Sequence, residues 1–121
     1  MNNLDLLIDQ LRTRPEKIDF QHLIGVIDDF YHYTPTSFRN GISDETITND
    51  EGTNEGSCKI FSFAQLHDLD KEQTLQCFGN FYREDVLKNP GGNDHDNIRT
   101  FMKFGWQGIK FDRVALVMKK I

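Results

Sequence analysis

The chain lacks most of the features that name a chemistry outright. Its 121 residues include two cysteines, Cys58 and Cys77. Neither has a second Cys or His at short spacing, which excludes a zinc-ligand pattern. Two thiols in a chain of cytosolic character are expected to stay reduced. No apolar run reaches the roughly 20 residues of a membrane-spanning helix. The opening Met1-Asn2-Asn3-Leu4-Asp5 lacks the basic and apolar regions of a secretory signal. Bases are outnumbered, 14 Lys and Arg against 19 Asp and Glu, for a net charge of −5. Nucleic-acid binding runs on basic surfaces, so the balance argues against it. The Gly91-Gly92 pair does not stand between a strand and a helix as a phosphate loop requires. Asn49-Asp50-Glu51-Gly52 has the composition of a calcium loop but not its spacing, and reads as a mobile acidic loop. No cofactor and no metal are implied.

What is present is aromatic and unevenly charged. Ten Phe predict an aromatic-rich core. The first 56 residues carry 11 acids and 4 bases; the remainder carries 8 and 10. Lys110, Arg113, Lys119 and Lys120 alternate with apolar neighbours and read as the solvated face of a strand.

Helical periodicity dominates. Leu4, Leu7, Ile8 and Leu11 form one stripe, with Asn3 as the expected cap and Pro15 as the stop. Phe20, Leu23, Ile24, Ile27 and Tyr31 predict a second helix after Asp19, ending near Tyr33 ahead of Pro35. Asn40-Gly41 is a tight-turn signal, and Ile42 and Ile47 suit a short strand or hairpin. Residues 57–66 fit either a buried helix or a buried strand, with length favouring the helix. Asp70 with Gln73 is a capping box, and Gly79 suits the following C-terminal turn. Residues 81–88 continue helically. A last helix follows Asp94 or Asp96 and ends at Gly105. Trp106 to Ile121 reads as a strand region, with alternation at 109–111 and in part at 114–118. Helices with a few segregated strands predict an α+β fold, helix-rich with a small, mostly antiparallel sheet, in one domain over 1–121.

Several blocks keep one order along the chain. They are Tyr33-Thr34-Pro35-Thr36 with Phe38 and Asn40-Gly41; Asn54-Glu55-Gly56-Ser57-Cys58-Lys59-Ile60-Phe61; Gln73-Thr74-Leu75 with Cys77-Phe78-Gly79; Tyr82-Arg83 with Asp85-Val86-Leu87; Asn89-Pro90; and His95, Asn97-Ile98-Arg99, Phe101-Met102 and Gly105-Trp106. On these residues the chain resembles the HopJ family of type III effector proteins. That family is named for delivery by plant-pathogenic bacteria, not for a known reaction. The resemblance implies an effector-like role and a type III route. An N-terminal helix bearing Asp5 and Asp9 differs from a flexible, acid-poor export segment, so a bacterial cytoplasmic location is expected.

The candidate chemistry centres on the same blocks. Lys59 and Arg83 interrupt apolar stretches, and a buried cation needs a partner, for which Glu55, Glu84 or Asp85 could serve. His95 and Arg99 lie one helical turn apart and, with Tyr82 or Arg83, could hold an anion. The leading expectation is a binding module for a protein partner or small ligand. In it Lys59, Arg83 and Arg99 recognise an anion, Tyr82 orients it, and Glu55 and His95 handle protons. The alternative is a small hydrolase or transferase with Cys58, at an expected helix start, as nucleophile and His95 or His32 as base. A third reading is a structural housekeeping protein without catalysis, in which Cys58 and Cys77 are core residues and the polar block only fixes the fold.

Overall fold

The computed structural model describes residues 1–120. Helix α1 (Asn3–Thr13) buries Leu4, Leu7 and Leu11. Its cap is Asn2, one residue before the expected Asn3. The Asn2 side chain accepts from the Asp5 amide at 2.8 Å, and the Asp5 carboxylate accepts from the Asn2 amide at 3.4 Å. Such a reciprocal box needs an acid or amide three residues after the cap; from Asn3 that place falls to Leu6. Helix α2 (Phe20–Phe30) is capped by Asp19, whose carboxylate accepts from the His22 amide. It ends before Tyr33, because Tyr31 turns extended and enters strand β1 (Tyr31–Tyr33).

Strands β2 (Phe38–Asn40) and β3 (Ile47–Asn49) form a hairpin with Asn40 opposite Ile47. Ile42 lies in the connection, outside both strands. Strands β4 (Lys110–Phe111) and β5 (Leu116–Met118) return from the far end of the chain. They make two small antiparallel sheets, β1-β5 and β3-β2-β4.

The two sheets share one register. Tyr31 faces Met118 and Tyr33 faces Leu116; further on, Phe38 faces Phe111 and Arg39 faces Lys110. Between them, Thr34 N–H donates to Ala115 O at 2.8 Å and Asp112 N–H to Ser37 O at 3.1 Å. No residue is gained or lost from one sheet to the other. The sheets are thus the two ends of one antiparallel ribbon, opened in the middle where Pro35 has no N–H to give. Past the ribbon's end, Gly41 N–H donates to Gly108 O at 3.1 Å. A Cβ on Gly108 would lie 2.7 Å from the Gly41 nitrogen, so this backbone contact tolerates no side chain.

Residues 57–66 are helical, within α3 (Glu55–Leu66). Cys58, Ile60, Phe61, Ser62, Phe63 and Ala64 are all buried, so the helix is enclosed on nearly every side. That enclosure hides the amphipathic period that separates helix from strand in a sequence. Phe61 is the hub. Its ring lies 4.9 Å from Phe101, 5.6 Å from Phe78, 5.9 Å from Phe38 and 6.3 Å from Trp106, mostly edge-on or tilted.

Helix α4 (Lys71–Gln76) carries the expected Asp70–Gln73 capping box. Gly79 (φ +59°) turns the chain closely past Phe20, and a π-helical turn (Phe81–Val86) follows. Helix α5 (Asp96–Phe104) ends at Gly105 (φ +63°), as expected. The fold is α+β. Among the described residues no helix is long and apolar enough to cross a membrane.

A candidate ligand cleft between two helix starts

Two helices begin without a side-chain cap. Asn54, ahead of α3, and His95, ahead of α5, both take left-handed backbone (φ 49° and φ 53°), and neither side chain bonds the amides that follow. The expectation that Asp94 or Asp96 caps α5 is corrected here. His95 occupies the cap position, Asp96 lies inside the helix, and the Asp94 carboxylate is held by Arg99 at 2.6 Å. An uncapped start leaves first-turn N–H groups with no intrahelical acceptor and a partial positive charge.

Both starts line one cleft of about 480 Å³. Gly56 and Ser57 come from α3, and Asp96, Asn97 and Ile98 from α5. Phe20, Phe78 and Phe81 form the apolar wall. The Phe81 ring stands 5.0 Å from Phe20 and 5.2 Å from His95, making an aromatic ledge. Phe81 is 38% exposed despite its size.

Behind the cleft lies a chain of buried amides. Asn97 Oδ1 accepts from Asn40 Nδ2 and Asn49 Nδ2, both at 3.1 Å, and Asn97 Nδ2 donates to Asn49 Oδ1 at 2.8 Å. Asn40 Nδ2 also donates to Asn97 O at 2.9 Å. Asn54 Nδ2 closes the chain on Asn49 Oδ1 at 2.7 Å. The network ties the β2–β3 hairpin to the starts of α3 and α5. It also holds Asn54 in left-handed backbone, which Asn tolerates better than most residues.

Of the residues singled out from the sequence, His95 alone lines the cleft. Its Nε2 lies 3.0 Å from Asp85 Oδ2 and 3.8 Å from Asp94 Oδ2. The three cations are engaged elsewhere, with partners other than those expected. Lys59 pairs with Asp28 at 2.8 Å and lies 4.8 Å from the Tyr33 ring centre. Arg83 donates to Gln76 Oε1 at 2.7 Å and to Ile18 O at 2.5 Å. It ties the π-helical turn to α4 and to the α1–α2 connection. Arg99 donates to Asp94 O and Oδ1, both at 2.6 Å, and to Asn89 O at 2.9 Å, bracing the 89–94 loop. His95 and Arg99 do not present one face, because His95 stands outside the helix and Arg99 folds back. Tyr82 donates to Glu72 Oε2 at 3.0 Å, and burial with that carboxylate pushes its phenol up to about 12.

Cys58 sits in the first turn of α3 but points inward. It is buried, its thiol donates to Thr36 O at 3.8 Å, and burial pushes its ionisation up. Among the described residues no histidine is hydrogen-bonded to it. His32 is exposed and alternates away from Tyr33, the neighbour that faces the thiol. The Tyr33 hydroxyl is buried; burial raises its ionisation, and the nearby Cys58 and Glu55 raise it further. Neither closes a hydrogen bond of ordinary geometry with it. Glu55 is exposed at the start of α3. Burial holds the Cys77 thiol up, and its place is core.

Sequence reasoning missed the cleft because it ranked charge. Asn40 stands in the sequence as half of a turn signal, and residues 57–66 as a buried element, so neither marks a site. Asn97, a polar residue beside the apolar Ile98, was the available signal. The left-handed backbone at Asn54 and His95 left none.

Comparison with known proteins bears on kinship rather than activity. A solved crystal structure titled as the unknown function protein VPA0580 superposes with a TM-score of 0.89 at 52% sequence identity, over 98% of this chain and 95% of that one. No curated protein matches. The model of the HopJ type III effector protein family matches residues 4–116. The cleft's Asn54, Gly56, Ser57, Phe78, His95, Asn97 and Ile98 all come from the blocks that carried the resemblance. The chain belongs to the HopJ type III effector protein family.

Proposed function

We propose that this protein is a binding module that takes a small molecule in the cleft between the starts of α3 and α5. The observation that carries the reading is the cleft itself. At about 480 Å³ it lies within the roughly 300–1,000 Å³ typical of small-molecule sites. It combines an apolar aromatic wall with converging polar groups, the pattern by which such sites gain both affinity and orientation. The absence of Lys and Arg from its lining speaks against a nucleic-acid backbone as the occupant. The burial and raised ionisation of Cys58 speak against thiolate chemistry.

The test is an amide-shift spectrum of labelled protein against fractions of an extract from its own cells. Saturable shifts at Gly56, Ser57 and Asn97 with the small-molecule fraction, lost in Ser57→Phe, are expected. Broadening only with the macromolecular fraction, centred on the exposed Leu66, Val114, Val117 and Met118, would replace this reading with a protein-partner module. Alkylation of Cys58 in the folded protein well below ordinary thiol pH would reinstate the enzyme.

A further inference from the structure

The character of the cleft narrows its occupant. Asp96 is the only acidic side chain lining it, and no Lys or Arg lines it among the described residues. His95 is bracketed by the carboxylates of Asp85 and Asp94. A compact anion therefore meets Asp96 directly and two further carboxylates just behind the imidazole, with the Arg99 guanidinium engaged on Asp94 and the 89–94 loop. A cation escapes that repulsion but faces the positive ends of both α3 and α5. The opposing fields leave neither sign of charge favoured.

What the cleft does offer is a mixture of neutral donors and acceptors. Amide N–H groups of two first turns donate. The Asn54 Oδ1 and Asp96 carboxylate oxygens accept, and the Ser57 hydroxyl and Asn93 amide do both. Asn54 Oδ1 is available because only its Nδ2 is used by the buried amide chain. Asn97 is different: its side chain is consumed by Asn40 and Asn49, so it offers only backbone to the cleft. A hydroxyl satisfies both kinds of partner through a single oxygen, so several fit side by side along the edge of one small molecule. Beside these groups stands the Phe81 ring, 38% exposed and set nearly edge to face against Phe20 at 75°, with the His95 ring tilted beside it at 41°. A molecule that matches has hydroxyls along its edge and a C–H-bearing face.

Resting on the small-ligand reading above, we infer that the cleft takes a neutral polyhydroxylated molecule, a mono- or disaccharide by chemical class. The ring's C–H face lies on the exposed Phe81 ring, and its hydroxyls bridge Asp96 and Asn54 to the α3 and α5 amides.

The experiment titrates the full labelled chain with glucose, galactose, N-acetylglucosamine and their disaccharides. Inorganic phosphate and spermidine serve as the anionic and cationic probes. Saturable shifts at Gly56, Ser57 and Asn97 with at least one saccharide are expected. Phe81→Ala should weaken that binding about two- to tenfold, the range of one aromatic contact. Phe81→Leu keeps bulk without a ring and should fall between, which separates a stacking loss from a folding defect. Saturation by phosphate or spermidine, with silence from every saccharide, would overturn the ligand class and leave the cleft reading standing. So would silence from all the probes when the small-molecule extract still shifts the cleft. Silence from the extract as well would remove both readings.

Discussion

Among the described residues, five α-helices begin in two different ways. α1, α2 and α4 start under Asn2, Asp19 and Asp70, each with a side-chain oxygen on an amide of the first turn. α3 and α5 start under residues in left-handed backbone with no such bond. The caps Asn2, Asp19 and Asp70 are exposed, whereas the uncapped pair shares the cleft, to which α2 brings only the apolar ring of Phe20. Three cap side chains close helix ends, and two ends are left open onto the cleft proposed to take a ligand. The same division separates the cations from the amides. Lys59, Arg83 and Arg99, which draw the eye in the sequence, are struts, while the polar groups left available in the cleft are backbone N–H, neutral side chains and the Asp96 carboxylate.

The contrast can be broken at several points. The largest loss is expected from Asn97→Leu, which strips the acceptor from two buried amide donors. About 3 kcal/mol should disappear from urea unfolding, given roughly 1–3 for each buried group left unsatisfied. Arg83→Ala should cost about 2 kcal/mol through its charge-assisted bonds to Gln76 and Ile18, with ligand binding unchanged. A loss of binding without loss of stability would return Arg83 to the site. Removing a closing cap, Asp70→Ala, should cost about 1 kcal/mol. Asn54→Gly should cost under about 0.5 kcal/mol, because the relief of left-handed strain offsets one lost side-chain bond. Equal costs at both positions would dissolve the distinction between the two kinds of start.

The smallest effect lies away from the cleft, where His67 Nε2 meets the Tyr31 hydroxyl at 2.5 Å. Burial holds His67 below the usual imidazole range, and the nearby Arg12 adds to this. The folded protein therefore binds fewer protons there than the unfolded chain. The contribution of this residue is flat above about pH 6.5 and falls as the pH drops below it, until the folded imidazole itself protonates. Melting temperatures across that window should slope in the parent and flatten in His67→Gln.

How much of this was legible depended on period and distance. The α1 stripe, the Asp19 and Asp70 caps and the Gly105 stop are local, and local chemistry decides them. Enclosure erased the period of α3, so helix and strand stayed open at 57–66. The partners of Lys59, Arg83 and Arg99 could not be found, because a cation bonds whatever the fold brings near. Arg83 chose a backbone carbonyl and a neutral amide over Glu84 and Asp85, the acids beside it in sequence. The cleft was the least legible part. Its open donors belong to the backbone, and every residue has those.

The ribbon sets an order of events. Its register pairs Tyr31 with Met118 and Arg39 with Lys110, residues from opposite thirds of the chain. Closing so long a loop is entropically slow, and no local contact can stand in for it. Until residue 118 has been synthesised, β1 keeps an unpaired edge and Tyr31 has only one flank of its final surroundings. Helices can gather around Phe61 well before then. The last fastening joins a strand made early to one made late, so a nascent chain stalled before Leu116 would carry a formed helical core with an open seam.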